Sequence, residues 1–201
     1  MDFESAQQVD GQEFVSLIYQ NRVIQSAEFY DCTFKNCQFN EAIFQSCVFN
    51  DCLFEECDLS LAKLPYTAFQ ETRFVRSKLV GVNWTEANWT SQGLLKKKFV
   101  DFDRCVLDFG VFIGLKLPDI QIRQCSARET AFEDADLTGA DCTQTDFAAS
   151  RFVGVNLTKA DFTGATNYAI NAQLNTLHKT KFSLPEAVAL LRSLDIILDE
   201  T

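Results

Sequence analysis

The chain has 201 residues, 18 Lys and Arg against 28 Asp and Glu, and a formal net charge of −10. That length suits one domain with a continuous core, and 47% hydrophobic residues exclude a disordered chain. The acidic balance argues against direct nucleic-acid binding, which needs a basic surface to neutralise phosphates.

The opening segment, residues 1–23, has no basic n-region and no apolar h-region, so no signal peptide is expected. No 18-residue apolar run occurs anywhere, which excludes a spanning helix, and no membrane partner is expected. Eight cysteines without an export signal point to reduced thiols in a bacterial cytoplasm. Only Phe14 and Tyr19 hint here at the pattern that follows, so this segment reads as an irregular first coil.

From Ile24 to Phe99 the chain is governed by a five-residue register. Phe29, Phe34, Phe39, Phe44, Phe49 and Phe54 fall at every fifth position, continued by Leu59, Leu64, Phe69, Phe74, Leu79, Trp84, Trp89, Leu94 and Phe99. A helix repeats every 3.6 residues and a strand every two, so neither explains the series; a fixed short repeat means a solenoid. Two residues before each of these centres stands a small residue, including Ala27, Cys32, Cys37, Ala42, Cys47, Cys52, Cys57 and Ala62. Large and small side chains alternating inward would fill a narrow tube.

At residues 100–101 the phase slips by three, just after Lys96, Lys97 and Lys98, the strongest basic cluster in the chain. A bulge, short helical turn or small loop that kinks the rod is expected there. The register restarts at Phe102 and runs to residue 166 through Leu107, Phe112, Leu117, Ile122, Phe132, Leu137, Phe147, Phe152, Leu157 and Phe162, with Ala127 and Cys142 as small exceptions. Gly81, Gly114, Gly139, Gly154 and Gly164 each lie two residues after a centre, where a turn with positive φ is expected.

Residues 167–201 leave the register. Ser183-Leu184-Pro185-Glu186 reads as a capping box opening a helix that runs to about Leu194. Leu184, Val188 and Leu191 would share the face that plugs the coil end. Leu190 and Leu194, with Ile196 and Ile197, would leave a second apolar surface suited to a two-fold homodimer.

The repeat resembles the pentapeptide repeat family, whose consensus is roughly A-(D/N)-L-x-x; Ala135-Asp136-Leu137-Thr138-Gly139 and Ala160-Asp161-Phe162-Thr163-Gly164 match it well. The resemblance covers residues 24–166. It implies an all-β solenoid, a right-handed quadrilateral β-helix with four pentapeptides per coil, here closed by a C-terminal capping α-helix. The cysteines agree, because Cys32 and Cys52, Cys37 and Cys57, and Cys105 and Cys125 are one such coil apart. About seven coils at ~4.8 Å give a rod on the order of 34 Å long.

The same register disposes of most catalytic chemistry. Seven cysteines occupy the small inward position and Cys142 a centre, without the C-x-x-C knuckles of zinc sites, so no metal is expected. His178, the single histidine, has no second imidazole to share a site. No phosphate loop, nucleophile elbow or H-E-x-x-H motif occurs, so neither an enzyme nor a cofactor is expected. What remains is charge. Asp31, Asp51 and Glu71 should line one edge of the rod, and Asp141 and Asp161 form a second pair.

Within the family, the Phe- and Cys-rich first coils, Gly81-Val82-Asn83-Trp84 and the ending Phe182-Ser183-Leu184-Pro185-Glu186-Ala187 resemble the topoisomerase-interacting group, of quinolone-resistance and gyrase-poison immunity type. That resemblance implies an acidic, rod-shaped DNA mimic, dimeric through its C-terminus, that binds DNA gyrase or topoisomerase IV. Duplex DNA carries one charge per ~1.7 Å, so a rod of ~34 Å would match about 20 charges. At −10 the monomer reaches half of that, and mimicry would rely on clustering along an edge or on dimerisation. The alternative is a generic interaction scaffold with another partner, the acids being solvated coil edges that deter aggregation.

Overall fold

The computed structural model describes residues 8–90, 100–194 and 196. The chain winds as a four-sided parallel β-solenoid in which each short strand pairs with the strand one coil away. One ladder runs the whole length of the rod through Phe14, Phe34, Phe54, Phe74, Phe102, Ile122, Cys142, Phe162 and Phe182. At about 4.8 Å per step it spans roughly 38 Å.

The five-residue register produces this shape because each pentapeptide places two side chains inward and three outward. The centres are buried and stack on their equivalents in adjacent coils. Phe34 and Phe54 lie 4.6 Å apart at 11°, Phe54 and Phe74 4.9 Å apart at 16°, and Phe112 and Phe132 5.2 Å apart at 13°. Around a coil the rings meet edge-on instead, as Phe49 and Phe54 do at 5.3 Å and 69°. Offset stacks along the axis and edge contacts across it both suit the ring quadrupole.

The inward cysteines act as hydrogen-bonding core residues. The Cys57 Sγ donates to the carbonyls of Phe34 and Glu55 at 3.3 and 3.4 Å, and accepts from the Cys37 backbone N–H at 3.4 Å. The Cys57 N–H in turn donates to Ser77 Oγ at 3.0 Å. Thr67, Thr145 and Ser150 play the same part for their neighbours. At several inward alanines the N–H closes a tight turn onto the centre three residues back, as in Ala42 to Phe39 and Ala160 to Leu157, both at 2.9 Å. The tight turn accepts Ala, Ser or Thr inside, as Thr67 N–H to Leu64 at 3.1 Å shows, and the Cys, Ser and Thr side chains add the capture of an N–H from the coil below. Replacing Cys57 by Ser should therefore cost less than about 1 kcal/mol, whereas Ala should cost about 1–3 kcal/mol by orphaning the Cys37 N–H. Thermal unfolding of the two variants checks this ordering.

At the corners the residue two places after each centre takes a left-handed conformation, as expected for Gly139 (φ 72) and Gly154 (φ 72). Most corners, however, carry ordinary residues, including Asp31 (φ 50), Asp51 (φ 54) and Glu71 (φ 48). Pairing on both sides of the corner holds the backbone there, so each coil tolerates a modest left-handed penalty.

Three sequence expectations change. The first coil is regular, with strands at Gln8–Asp10 and Glu13–Val15 in register with Glu28–Tyr30 and Thr33–Lys35. The phase slip does not fall at residues 100–101, which belong to the strand Val100–Asp103. Phe74 pairs with Phe102, 28 positions on, and stacks on it at 5.4 Å and 18°, so the sheet passes the slip without a break. The surplus is eight residues beyond a 20-residue coil, inserted between Trp89 and Val100, where Lys96, Lys97 and Lys98 lie outside the described residues.

The C-terminal helix is also shorter than the sequence suggests, Val188–Leu191 followed by a 3-10 turn at Arg192–Leu194. Ser183 does not cap it; its Oγ accepts from the Gly164 N–H at 2.9 Å and ties the tail to the last full coil. The plugging face consists of Ala189 and Leu190, packed with Phe182 against the core, while Leu184, Val188, Leu191, Leu194 and Ile196 are exposed. Leu190 and the trio Leu184, Val188 and Leu191 thus exchange the roles expected of them, and Ile197 lies outside the described residues. Among the described residues no helix is long and apolar enough to cross a membrane.

Candidate functional site

The five-residue register gives four corner columns running along the rod. Asp31, Asp51 and Glu71 occupy consecutive levels of one column, because one coil is 20 residues long on this side. All three are exposed, and none takes part in an ion pair among the described residues. They line a shallow groove of about 620 Å³ with Thr72, Arg73, Val100 and Asp101.

Asp141 and Asp161 do stack, but in a strand column on the neighbouring face that begins two residues past the corner. That column reads Arg73, Asp101, Gln121, Asp141, Asp161 and Lys181. The expected pair therefore continues the border of the acidic corner toward the C-terminus. Asp161 is compensated by Lys181 Nζ at 2.9 Å, and Asp141 caps the Thr143 N–H at 3.1 Å, so neither is as available as the corner trio.

Two acids of this border were not singled out from the sequence. Asp101 faces the groove and accepts from the Gln121 N–H at 3.0 Å. Asp119 stands farther along the same corner column, its carboxylate leaning over Gly139, where an added Cβ would lie 2.3 Å from Oδ1. Counting 28 rather than 20 residues across the insertion would have aligned Asp101 with Arg73.

Several other carboxylates serve the fold. Asp146 meets Arg128 at 2.7 Å and Asn167 Nδ2 at 2.9 Å. Burial of Asp146 works against its charge, yet the bonds from Asn167, Arg128 and the Ala148 N–H outweigh it and lower its pKa. Asp161 is likewise lowered: burial opposes the charge, and Thr163 with Lys181 overcomes it. Carboxylates with depressed folded pKa values contribute stability that is present above their unfolded pKa and lost as pH falls through the folded value. The melting temperature should therefore fall between about pH 5 and about pH 3, and more shallowly in Asp161→Asn.

Four of the buried thiols, Cys47, Cys52, Cys57 and Cys142, are held protonated. Burial pushes Cys47 up to about 11 and Cys52 up to about 12, and Cys142 is raised by the same cause. Hydrogen bonding with Cys37, then burial, raises Cys57. Thiols held protonated in this way are poor nucleophiles and poor ligands. Among the described residues no group of three or more His, Cys, Asp or Glu could hold a metal ion.

The corner diagonally opposite the acidic trio has another character. Its column reads Glu41, Leu61, Gly81, Phe109 and Glu129, with Leu61 folded over Gly81. Leu61 and Phe109 are each more than half exposed.

Comparison with known proteins agrees with this architecture. A family model described as a pentapeptide repeat region matches residues 27–109, and one described as pentapeptide repeats (8 copies) matches residues 117–152 and 128–164. No curated protein matches the sequence significantly. Among solved structures, a trypsin-treated form of QnrB1, a plasmid-mediated fluoroquinolone resistance protein, superposes with a TM-score of 0.70 at 16% identity, covering 99% of this chain and 95% of that one. A second trypsin-treated form gives 0.71 at 16% identity over 96% and 100% of the two chains. Full-length QnrB1 gives 0.68 at 17% identity over 94% and 100%.

Proposed function

Since the chain belongs to the pentapeptide repeat family, we propose that its rod is an acidic DNA mimic that binds a type II topoisomerase, DNA gyrase or topoisomerase IV, in the bacterial cytoplasm. It inhibits the enzyme or shields it from a poison, giving antibiotic resistance or self-immunity, and catalyses nothing itself. The observation that carries this reading is the uncompensated corner column Asp31, Asp51 and Glu71, bordered by Asp101, Asp141 and Asp161. A straight edge of carboxylates on a rigid rod offers a basic DNA-binding surface the repeating negative charge it is built to hold. The shared fold with QnrB1, and the resemblance of the repeat and its ending to the albicidin-resistance protein, support the same partner class.

The exposed apolar side chains at the C-terminus, Leu184, Val188, Leu191, Leu194 and Ile196, favour a homodimer joined at that end. Leu191→Glu should then yield a monomer of unchanged secondary structure in light scattering.

Supercoiling by purified gyrase, and decatenation by topoisomerase IV, with and without a fluoroquinolone, test the main reading. Neither inhibition nor rescue at micromolar protein would sink it. Inhibition should also weaken as salt rises, because exposed charges are screened. A second reading, an interaction scaffold for an unrelated protein, is favoured by the apolar corner at Leu61 and Phe109. Capture of the partner through that corner, insensitive to salt, would select it.

A further inference from the structure

We infer that the interaction edge is two-signed: Lys159 and Lys179, at the C-terminal end of the corner column that begins acidic, meet a carboxylate-bearing patch on the same partner. The inference rests on the function proposed above, and it adds the part of the partner's surface that the acidic trio leaves undescribed.

It starts from the column itself. Beyond Asp31, Asp51 and Glu71 the same corner carries Asp119, Gly139, Lys159 and Lys179. Each corner N–H donates to the carbonyl just before the next corner, Asp119 to Thr138, Gly139 to Thr158 and Lys159 to His178, all at 2.8 Å. The charge along one straight edge therefore runs from acidic through neutral to basic. Both lysines are exposed, and neither takes part in an ion pair among the described residues. Lys181 beside them already engages Asp161 at 2.9 Å, so that acid does not serve them. Two ammonium groups one coil apart repel each other, and a carboxylate brought from outside relieves them.

Local structure does not call for lysine here. The two residues take left-handed turns at φ 62 and φ 58, which cost glycine least and suit Asn and Asp next. A rod that only imitated phosphates would keep the column acidic to its end, because lysine weakens attraction to a basic surface. The spacing then describes the partner. From Asp51 to Lys159 is five coils, followed on the adjoining strand column from Leu53 through Arg73, Asp101, Gln121 and Asp141 to Asp161. At about 4.8 Å per coil that is roughly 24 Å. The partner presents basic groups and, about 24 Å farther along the same groove, carboxylates. Opposite signs at two points fix the direction in which the rod lies, and a uniformly acidic edge cannot.

The test reverses the lysines. Lys159→Glu with Lys179→Glu changes two charges per site and takes the net charge from −10 to −14. Glutamate already occupies left-handed corners at Glu41 (φ 58) and Glu129 (φ 52), so the fold is retained, which an unchanged melting curve checks. Attraction to a basic surface alone makes this variant bind the topoisomerase more tightly than the parent chain. A two-signed edge makes it bind at least about tenfold more weakly in a direct titration at fixed salt. Lys63→Glu with Lys116→Glu, at exposed positions off the edge, makes the same charge change and should not weaken binding. Equal or tighter binding by the Lys159 and Lys179 variant, or equal weakening in both double variants, overturns the inference and leaves the proposed function standing. No binding by the parent chain overturns both.

Discussion

Phe102→Ala is expected to destabilise the protein by about 3–5 kcal/mol, lowering the melting temperature by roughly 6–20 °C. Phe102 is 0% exposed, stacks on Phe74 at 5.4 Å and meets Trp84 edge-on at 5.1 Å and Phe112 at 6.1 Å. Truncation leaves a cavity that the stacked coils cannot close, since every backbone group around it is tied to the coils above and below. The site is also where the ladder resumes after the insertion, so Phe102 supports the junction between the two repeat runs. In a solenoid, stability is close to a sum of repeat and nearest-neighbour terms, and a weakened junction should let one run melt before the other. Circular dichroism should then show a broadened or two-step transition. A loss no larger than that of the exposed Lys63→Ala would contradict the role assigned to the stack.

The largest functional effect is expected from reversing Asp31, Asp51 and Glu71 together to Lys. Each reversal adds two charges, so the net charge moves from −10 to −4. Inhibition of topoisomerase should fall by more than about 100-fold, as expected when favourable close charge contacts become repulsive. The fold should survive, because lysine already occupies equivalent left-handed corners at Lys159 (φ 62) and Lys179 (φ 58). A control triple, Glu41, Glu129 and Asp134 to Lys, makes the same charge change at exposed corners elsewhere. Equal loss in the control would mean that net charge, and not the edge, governs binding.

The register was plain in the sequence because its period matches no other regular structure, and it placed Phe34, Cys57 and Asp51 on the correct sides of the wall. The insertion was harder to read. A slip of three in a period of five is indistinguishable from a surplus of eight, so periodicity alone cannot measure what lies between Trp89 and Val100. That ambiguity concealed Asp101 and Asp119 from the acidic edge. The first coil was obscured because Val15, Ile18 and Val23 point outward, mixing apolar residues into positions that are polar elsewhere. At the C-terminus the helix is barely one turn long, too short for its amphipathic pattern to tell the packed side at Leu190 from the exposed one at Leu184 and Val188.

The unbroken ladder from Phe14 to Phe182 makes this protein a ruler graduated in units of 20 residues. Extra sequence can be added, as between Trp89 and Val100, without moving any graduation, provided the next centre returns to its column. Length along the axis can change only by whole coils. Homologues that must span a longer or shorter surface are therefore expected to differ by multiples of 20 residues within the rod, while differences of any other size should map to corners. A segment grafted between Thr90 and Val100 should leave the melting temperature nearly unchanged, whereas deleting a single residue within a strand should shift every side chain beyond it out of the core.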